Sequence, residues 1–205
     1  MRKAFFLFFC WITIPHILCY LVAKNKQIIE KDIVRWVQCS HQFNPLWGGG
    51  KSNLLNLMWL LMFIKEYRNV FYLRMGKAKY FLSYIPPLST LYICTRSEDF
   101  GAGTFIQHGF ASVITADKIG ENCWINQQVT IGYNNSKKYG YGRPTIGNNV
   151  RISAGAKVCG KVTIGDNSTI GVNAVVVKDV PPSSVVIPSP MMLIREEGEI
   201  VYKKL

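Results

Sequence analysis

From residue 100 onward the chain repeats every six residues, and this period constrains its fold more than any other feature. Large apolar residues recur at Phe100, Ile106, Val113, Ile119, Ile125 and Ile131, and again at Ile146, Ile152, Val158, Ile164, Ile170 and Val176. A period of six fits neither a 3.6-residue helix nor a strand that alternates every two residues. Each hexad is therefore predicted to form a short strand and a corner, with three hexads closing one turn of a parallel β-helix.

The repeat is interrupted twice. The step from Ile106 to Val113 is seven residues, and a polar, glycine-rich stretch, YNNSKKYGYGRPT at 133–145, separates two regular hexads. A solenoid accommodates an insertion as a loop that leaves the coil, and such loops often form the binding face. We therefore expect recognition to occur at this loop.

The N-terminal region, residues 1–80, is basic and contains the longest apolar runs. It holds 12 basic and 3 acidic residues. The segment 4–23 is uncharged and just long enough to span a bilayer, but Pro15 and His16 interrupt it and favour two short helices. A membrane anchor or interfacial helix and a buried helix both remain open. A secretory signal peptide is least favoured, because the segment lacks an A-x-A cleavage site.

Two further helices are predicted in this basic region. The apolar run 54–64 is too short to span a membrane. The stretch KEYRNVFYLRMGKAKYF at 65–81 interleaves basic and aromatic residues, and its basic side chains, including Arg68 and Arg74, are expected on a solvated or lipid-facing surface.

Several site classes are not indicated. The letters GGGKS at 48–52 have Pro45 where a phosphate-binding loop requires glycine, so they predict a flexible turn. The basic residues accompany no nucleic-acid-binding motif, so no nucleic-acid partner is predicted. The six cysteines lack the short spacings of metal or redox sites. We therefore predict reduced cysteines, no metal and a cytoplasmic protein, held at the inner face of the membrane if its N-terminal region binds lipid.

The motifs FGAGTFIQHG, KIGENCWINQQVTIG and TIGNNVRISAGAKVCGKVTIGDNSTIGVNAVVVKDVP resemble the hexapeptide-repeat acyltransferases. Within that family the chain is similar to the serine acetyltransferase type, and to short members associated with surface-polysaccharide biosynthesis. The resemblance implies a mostly β fold, a left-handed parallel β-helix at 85–190. An N-terminal α-helical region would occupy 1–84 and a C-terminal tail 191–205. It also implies a homotrimer that binds acetyl-CoA along the groove between neighbouring subunits.

The resemblance also assigns site residues. His108, the only histidine in the repeat, matches the general base of the family, and imidazole accepts a proton near neutral pH. Acetyl-CoA would contact a set of small residues and one lysine close to the nucleotide phosphates: Gly132, Ala154, Gly155, Val172 and Lys178. Lys157 and Lys161 are alternative phosphate partners.

The acceptor is predicted from two differences between this chain and the serine enzymes. Gln107 stands where the serine enzymes have an aspartate, and Arg143 lies in a loop that lacks the second histidine of the family. Because an unpaired buried ammonium is costly, this favours a sugar hydroxyl of a surface-polysaccharide precursor, bound by Gln107 and Arg143. L-Serine is the alternative acceptor, with Glu98 or Asp99 supplying the missing carboxylate.

The sequence argues against two other classes of protein. A γ-type carbonic anhydrase shares the repeat but requires three histidine ligands, and the repeat has one. A non-catalytic scaffold at the membrane would not need His108 or the polar loop.

Overall fold

The structure, a computed structural model, describes residues 2–40, 53–136, 140–188, 192–196 and 199–204. The GGGKS segment lies outside the described residues. Within these ranges six α-helices precede the repeat: α1 (Arg2–Phe9), α2 (Ile14–Leu21), α3 (Lys26–Cys39), α4 (Asn53–Phe63), α5 (Lys65–Met75) and α6 (Lys79–Leu82). A 3-10 turn at Cys10–Thr13 joins α1 to α2, and Pro15 occupies the first turn of α2, where its missing N–H has no partner to lose. The predicted break in the apolar segment is therefore present.

The repeat forms three parallel sheets whose strands are stacked coil on coil. The first contains β1 (Leu91–Ile93), β3 (Ser112–Ile114), β6 (Thr130–Gly132), β11 (Lys157–Cys159) and β14 (Val175–Val176). The second contains β2 (Phe105–Ile106), β5 (Trp124–Ile125), β10 (Arg151–Ile152), β13 (Thr169–Ile170) and β15 (Val185–Val186). The third contains β4 (Lys118–Ile119), β9 (Thr145–Ile146) and β12 (Thr163–Ile164). These sheets are the faces of the left-handed parallel β-helix that the sequence predicts.

Two hairpins leave this solenoid. The stretch 133–145 contributes β7 (Asn134–Ser136) and β8 (Gly140–Gly142), which pair antiparallel, so the insertion is a loop as predicted. The predicted tail contains β16 (Met192–Glu196) and β17 (Glu199–Lys204), also antiparallel.

The apolar hexad positions fill the interior of the solenoid, with one exception. Eleven of the twelve predicted positions are buried, but Val113 is 38% exposed and its neighbour Ile114 is fully buried. Ile114 pairs with Ile131 on the next coil, so the interior step after Ile106 is eight residues and the following step, to Ile119, is five. The prediction that Val113 faces the interior is wrong, because the corner before β3 contains two residues more than a regular hexad. The next corner is one residue shorter than a regular hexad.

The prediction for the arginines of α5 is also wrong. Arg68 and Arg74 are buried. Arg68 donates hydrogen bonds to the carbonyl oxygens of Leu61 and Pro86, at 2.6 and 2.8 Å. Arginine carries five N–H donors, so carbonyl groups that lack other partners can hold it in the interior. Sequence periodicity does not reveal such carbonyl groups.

A buried ion pair joins the helices to the first coil. Arg74 Nε lies 2.9 Å from Asp32 Oδ2, and neither side chain is more than 1% exposed. Asp32 also accepts a hydrogen bond from the Gly103 backbone N–H at 2.7 Å. Arg74 donates to the carbonyl oxygens of Ser97 and Phe100, at 2.6 and 2.7 Å. Helix α3, helix α5 and the first coil therefore meet at one polar contact.

Candidate active site

His108 lies at the corner between β2 and β3, where the repeat is irregular. Its backbone is in the left-handed region, with φ of 54°, and Ala111 in the same corner has φ of 52°. Non-glycine residues in this region cost of order 1 kcal/mol and are frequent at functional sites. The imidazole side chain is exposed, and it makes no hydrogen bond to the part of the chain that the structure describes. The two extra residues of this corner therefore place a histidine at the surface of the coil.

Three of the predicted acetyl-CoA contacts share this corner with His108, each on a later coil. The corners are linked by backbone hydrogen bonds from Gln128 N–H to the Phe110 carbonyl, from Gly155 N–H to the Gln127 carbonyl and from Asn173 N–H to the Ala154 carbonyl. Ala154, Gly155 and Val172 thus form one column below His108. Val172 lies three coils from His108, which is about 14 Å at a strand spacing of about 4.8 Å.

Gly155 has a left-handed backbone, with φ of +72°, and a Cβ atom there would displace the Asn173 side chain of the next coil. Lys157, one of the alternative phosphate partners, donates a hydrogen bond to the Gln128 carbonyl of the same column.

Gly132, Lys178 and Arg143 lie elsewhere, at the corner between the first and third sheets. Among the described residues, a Cβ on Gly132 would meet only Thr130 Cγ2, at 3.8 Å, so these residues leave the surface beside it open. Lys178 and Arg143 are both exposed. The first sheet, about 10 Å wide, separates these residues from the His108 corner.

A pocket of about 200 Å³ opens beside His108. Its walls are mainly apolar, and its polar side chains come from both halves of the chain; the lining residues are Ser40, Phe63, Ile64, Glu66, Phe105, Ile106, Gln107 and His108. A small apolar cavity with a few convergent polar groups is the usual form of a binding site for a small molecule.

Glu66 is the site residue that sequence reasoning missed. It lies in the first turn of α5, and its side chain packs on the residue after His108, since a Cβ on Gly109 would lie 3.4 Å from Glu66 Cγ. Across the described ranges, Glu66 makes no hydrogen bond or ion pair. The signal available in the sequence is the scarcity of acids, because Glu66 is one of only three in the region 1–80.

Gln107 also lines the pocket, and its side-chain carbonyl is already hydrogen-bonded within the protein. Its Oε1 accepts hydrogen bonds from Trp124 Nε1 and Asn126 Nδ2 on the next coil, at 3.3 and 3.1 Å. The carbonyl end is therefore held by the protein, and the amide N–H groups are what Gln107 offers to a ligand.

Glu98 and Asp99 do not lie at the His108 corner. They form a 3-10 turn at Ser97–Asp99, on the coil segment that leads to the third sheet. Arg96 holds both, at 3.4 Å from Glu98 and 2.6 Å from Asp99. The prediction that one of them supplies the missing carboxylate is therefore wrong, because Arg96 pairs with both at a different corner.

Elsewhere, the surface of the described residues has a larger groove but no candidate metal site. This groove of about 680 Å³ lies between α3 and the corner that contains Glu121 and Asn149, and its described lining residues include no histidine or cysteine. Among the described residues, no group of three or more histidine, cysteine, aspartate or glutamate side chains could hold a metal ion.

Comparisons with known proteins support the predicted fold and show which proteins the chain is similar to. Residues 143–178 match the family described as bacterial transferase hexapeptide (six repeats). The serine acetyltransferases of Staphylococcus xylosus and Synechococcus elongatus are 42% and 43% identical to this chain over 104 residues. That match covers 50% of this chain but only 48% and 39% of those proteins.

A solved structure extends the similarity to the helical region. The serine acetyltransferase of Neisseria gonorrhoeae, in complex with serine, superposes with a TM-score of 0.56 at 25% identity. The superposition covers 80% of this chain and 68% of that one.

Proposed function

We propose that this chain, a hexapeptide-repeat acyltransferase, is an acetyl-CoA-dependent O-acetyltransferase in which His108 is the general base. The observation that supports this most directly is that His108 and Glu66 line the same small pocket, at the head of a column of small residues. Acetyl-CoA supplies the acetyl group as an activated thioester. His108 would take the proton from the acceptor hydroxyl, which makes the oxygen a stronger nucleophile.

The column of Ala154, Gly155 and Val172 fits a long, thin ligand arm. Small side chains leave the backbone accessible, and the distance of about 14 Å from His108 to Val172 suits an extended pantetheine. The open surface at Gly132 and the exposed ammonium of Lys178 offer a second set of contacts across the first sheet. A homotrimer, in which two coils would flank each acetyl-CoA, is part of this proposal. Exposed apolar residues on the coils, including Val175 and Val185, support such an assembly.

We propose L-serine as the acceptor. The relatives are serine acetyltransferases, and the pocket is small. The absence of an aspartate before His108 favoured a sugar hydroxyl, because the ammonium of serine would have no partner. Glu66 removes that objection, since its carboxylate makes no hydrogen bond or ion pair with the described residues and can pair with an ammonium. The amide N–H groups of Gln107 can donate to the serine carboxylate.

A sugar hydroxyl of a polysaccharide precursor remains the second candidate. The observation that favours it is the neutral side chain of Gln107 next to His108, which suits an uncharged polyol. The two candidates differ in what they require of Glu66, because only an acceptor with a cationic group needs its charge.

The test measures thiol release from acetyl-CoA by the purified full-length protein, with L-serine and with a panel of sugars and nucleotide sugars. We expect serine to be acetylated, and His108→Ala to lower kcat by about a hundredfold or more while acetyl-CoA still binds. Unchanged turnover by the His108 variant would show that the base is wrong.

Glu66→Gln separates the acceptors. Loss of a charged hydrogen bond of about 1.5–3 kcal/mol predicts an increase in KM for serine of about ten- to a hundredfold, with little change in KM for acetyl-CoA. Glu121→Gln, an exposed acid away from the pocket, is the matched control. Turnover of a sugar but not of serine, with no effect of Glu66→Gln, would establish the sugar acceptor instead.

A further inference from the structure

The apolar N-terminal segment exposes a large hydrophobic face to solvent. Nine of its large apolar side chains are 40 to 82% exposed: Phe5, Leu7, Phe8, Phe9, Trp11, Ile14, Leu18, Leu21 and Val22. A surface helix of a soluble protein shows polar residues on its outer side. A contiguous exposed apolar patch of this kind marks a site of interaction with a membrane or another protein.

The opposite face of the same segment is packed on the rest of the protein. Phe6, Thr13, His16 and Tyr20 are buried. His16 Nε2 lies 3.1 Å from both the Tyr72 hydroxyl and the Leu82 carbonyl oxygen. Phe6 packs against the Trp59 ring, with centroids 5.5 Å apart. These contacts hold α1 and α2 against helices α4, α5 and α6.

These contacts distinguish lying on a bilayer from crossing it. By length and mean hydropathy, the 18-residue window Ala4–Leu21 could span a membrane. Spanning would remove His16 from its buried partners and place the polar Thr13 and His16 in hydrocarbon, which is costly. Lying in the plane of the interface preserves every one of these contacts and buries only the exposed face.

Neighbouring residues extend the exposed face and border it with positive charge. Tyr80 and Phe81 are 79% and 73% exposed, and Tyr84 donates a hydrogen bond to the Ile12 carbonyl at 2.6 Å. Lys24, Lys77 and Lys79 are exposed, and Lys79 lies 5.2 Å from the Tyr80 ring centroid. Aromatic rings bordered by lysines are typical of the boundary between hydrocarbon and lipid headgroups. We call these nine apolar residues, with Tyr80, Phe81 and Tyr84, the N-terminal apolar surface.

We propose that the N-terminal apolar surface binds an anionic lipid bilayer, with α1 and α2 lying in the plane of the interface. A second copy of the chain is a poorer occupant. In a two-fold contact the same patch meets itself, so the lysines at the borders of both copies would approach one another. The surface contains no carboxylate to pair with them, whereas anionic headgroups supply the opposite charge.

The experiment is sedimentation of the full-length protein with vesicles of phosphatidylcholine alone or with about 30% phosphatidylglycerol, which gives the surface the negative potential of an anionic membrane. We expect binding to the anionic vesicles that weakens with salt. The variant Phe8→Ser/Leu18→Ser/Phe81→Ser should bind at least about tenfold more weakly. The control Val34→Ser removes an exposed apolar residue of helix α3, outside the N-terminal apolar surface, and should bind as the wild type does.

The depth of the N-terminal segment in the bilayer is measured with brominated lipids. The fluorescence of Trp11, obtained as the difference between wild type and Trp11→Phe, should be quenched most by bromine near the headgroups. Strongest quenching at the bilayer centre would show that the segment spans the membrane.

Failure to bind anionic vesicles, or a triple variant that binds normally, would overturn the proposal. A triple variant that instead lowers the oligomer mass in sedimentation, with no vesicle binding by wild type, would establish the second copy as the occupant.

Vesicle binding is measured independently of the proposed enzyme activity. None of the substituted residues lines the His108 pocket, so thiol release in solution should be unchanged in the triple variant.

Discussion

Asp32→Asn should destabilise the protein far more than any exposed substitution at the same interface. In the native structure Arg74 and the Gly103 N–H both bind the Asp32 carboxylate, and both charged side chains are essentially inaccessible to solvent. Burial raises the pKa of the Asp32 carboxyl, and Arg74 acts in the opposite direction. Asparagine would keep the shape but leave the Arg74 guanidinium buried without a counter-charge.

Asp32→Asn is expected to lower the free energy of unfolding by about 3–5 kcal/mol, the usual effect of removing one partner of a buried ion pair. The matched control is Glu121→Gln. It breaks the pair between Glu121 and Lys31, which joins the same helix α3 to the same coils at 3.1 Å but is at least half exposed on both sides. Exposed pairs contribute about 0–1 kcal/mol.

The assay is urea unfolding followed by circular dichroism at one fixed protein concentration. Asp32→Asn/Arg74→Met should recover part of the loss, because it removes the orphaned charge. Recovery should be incomplete, since Arg74 also binds the carbonyl oxygens of Ser97 and Phe100. If Asp32→Asn and Glu121→Gln shift the unfolding midpoint equally, the ion pair does not join the two regions in the way described.

Two further predictions concern pH and packing. Burial lowers the pKa of His16 to about 4 from 6.5, so the unfolded chain takes up this proton first. The His16 contribution to the free energy of unfolding is then complete above pH 6.5 and falls by about 3 kcal/mol as the pH drops to 4. Urea unfolding of wild type and His16→Phe should therefore show different slopes of unfolding free energy against pH over this range. Equal slopes would contradict this prediction. In the same assay, Ile114→Ala should lower the free energy of unfolding by about 2–5 kcal/mol and Val113→Ala by less than about 1 kcal/mol. The reverse order would show that Val113, seven residues after Ile106, is the interior residue.

The solenoid could be predicted because its signal is local and repeated. Every six residues an aliphatic side chain returns to the interior, and no other regular structure has that period. The prediction failed at Val113 because a corner with extra residues shifts the phase, and two adjacent aliphatic residues both match the pattern. Only the pairing of Ile114 with Ile131 decides between them.

The pocket could be predicted only in part, since its walls are far apart in sequence. His108 is identifiable from the sequence because it is the only histidine in the repeat and matches the base of the family, and Gln107 because it replaces the aspartate of the serine enzymes. Glu66 lies in a helix whose pattern indicates only amphipathicity, and its approach to Gly109 depends on how α5 packs on the first coil. That packing depends on the contacts of Asp32 and Arg74, which no periodicity encodes.

The spacing of the coils determines which changes in chain length the protein can tolerate. In the later coils Thr145 stacks on Thr163, and Arg151 stacks on Thr169, so one coil equals three hexads. The step from Ile125 to its partner Ile152 is longer, because the hairpin of β7 and β8 leaves the coil between them. Deletion of one residue within a coil would turn every later aliphatic side chain out of phase. Gain or loss of three whole hexads would preserve stacking, so length can vary by entire coils while the His108 corner is unchanged.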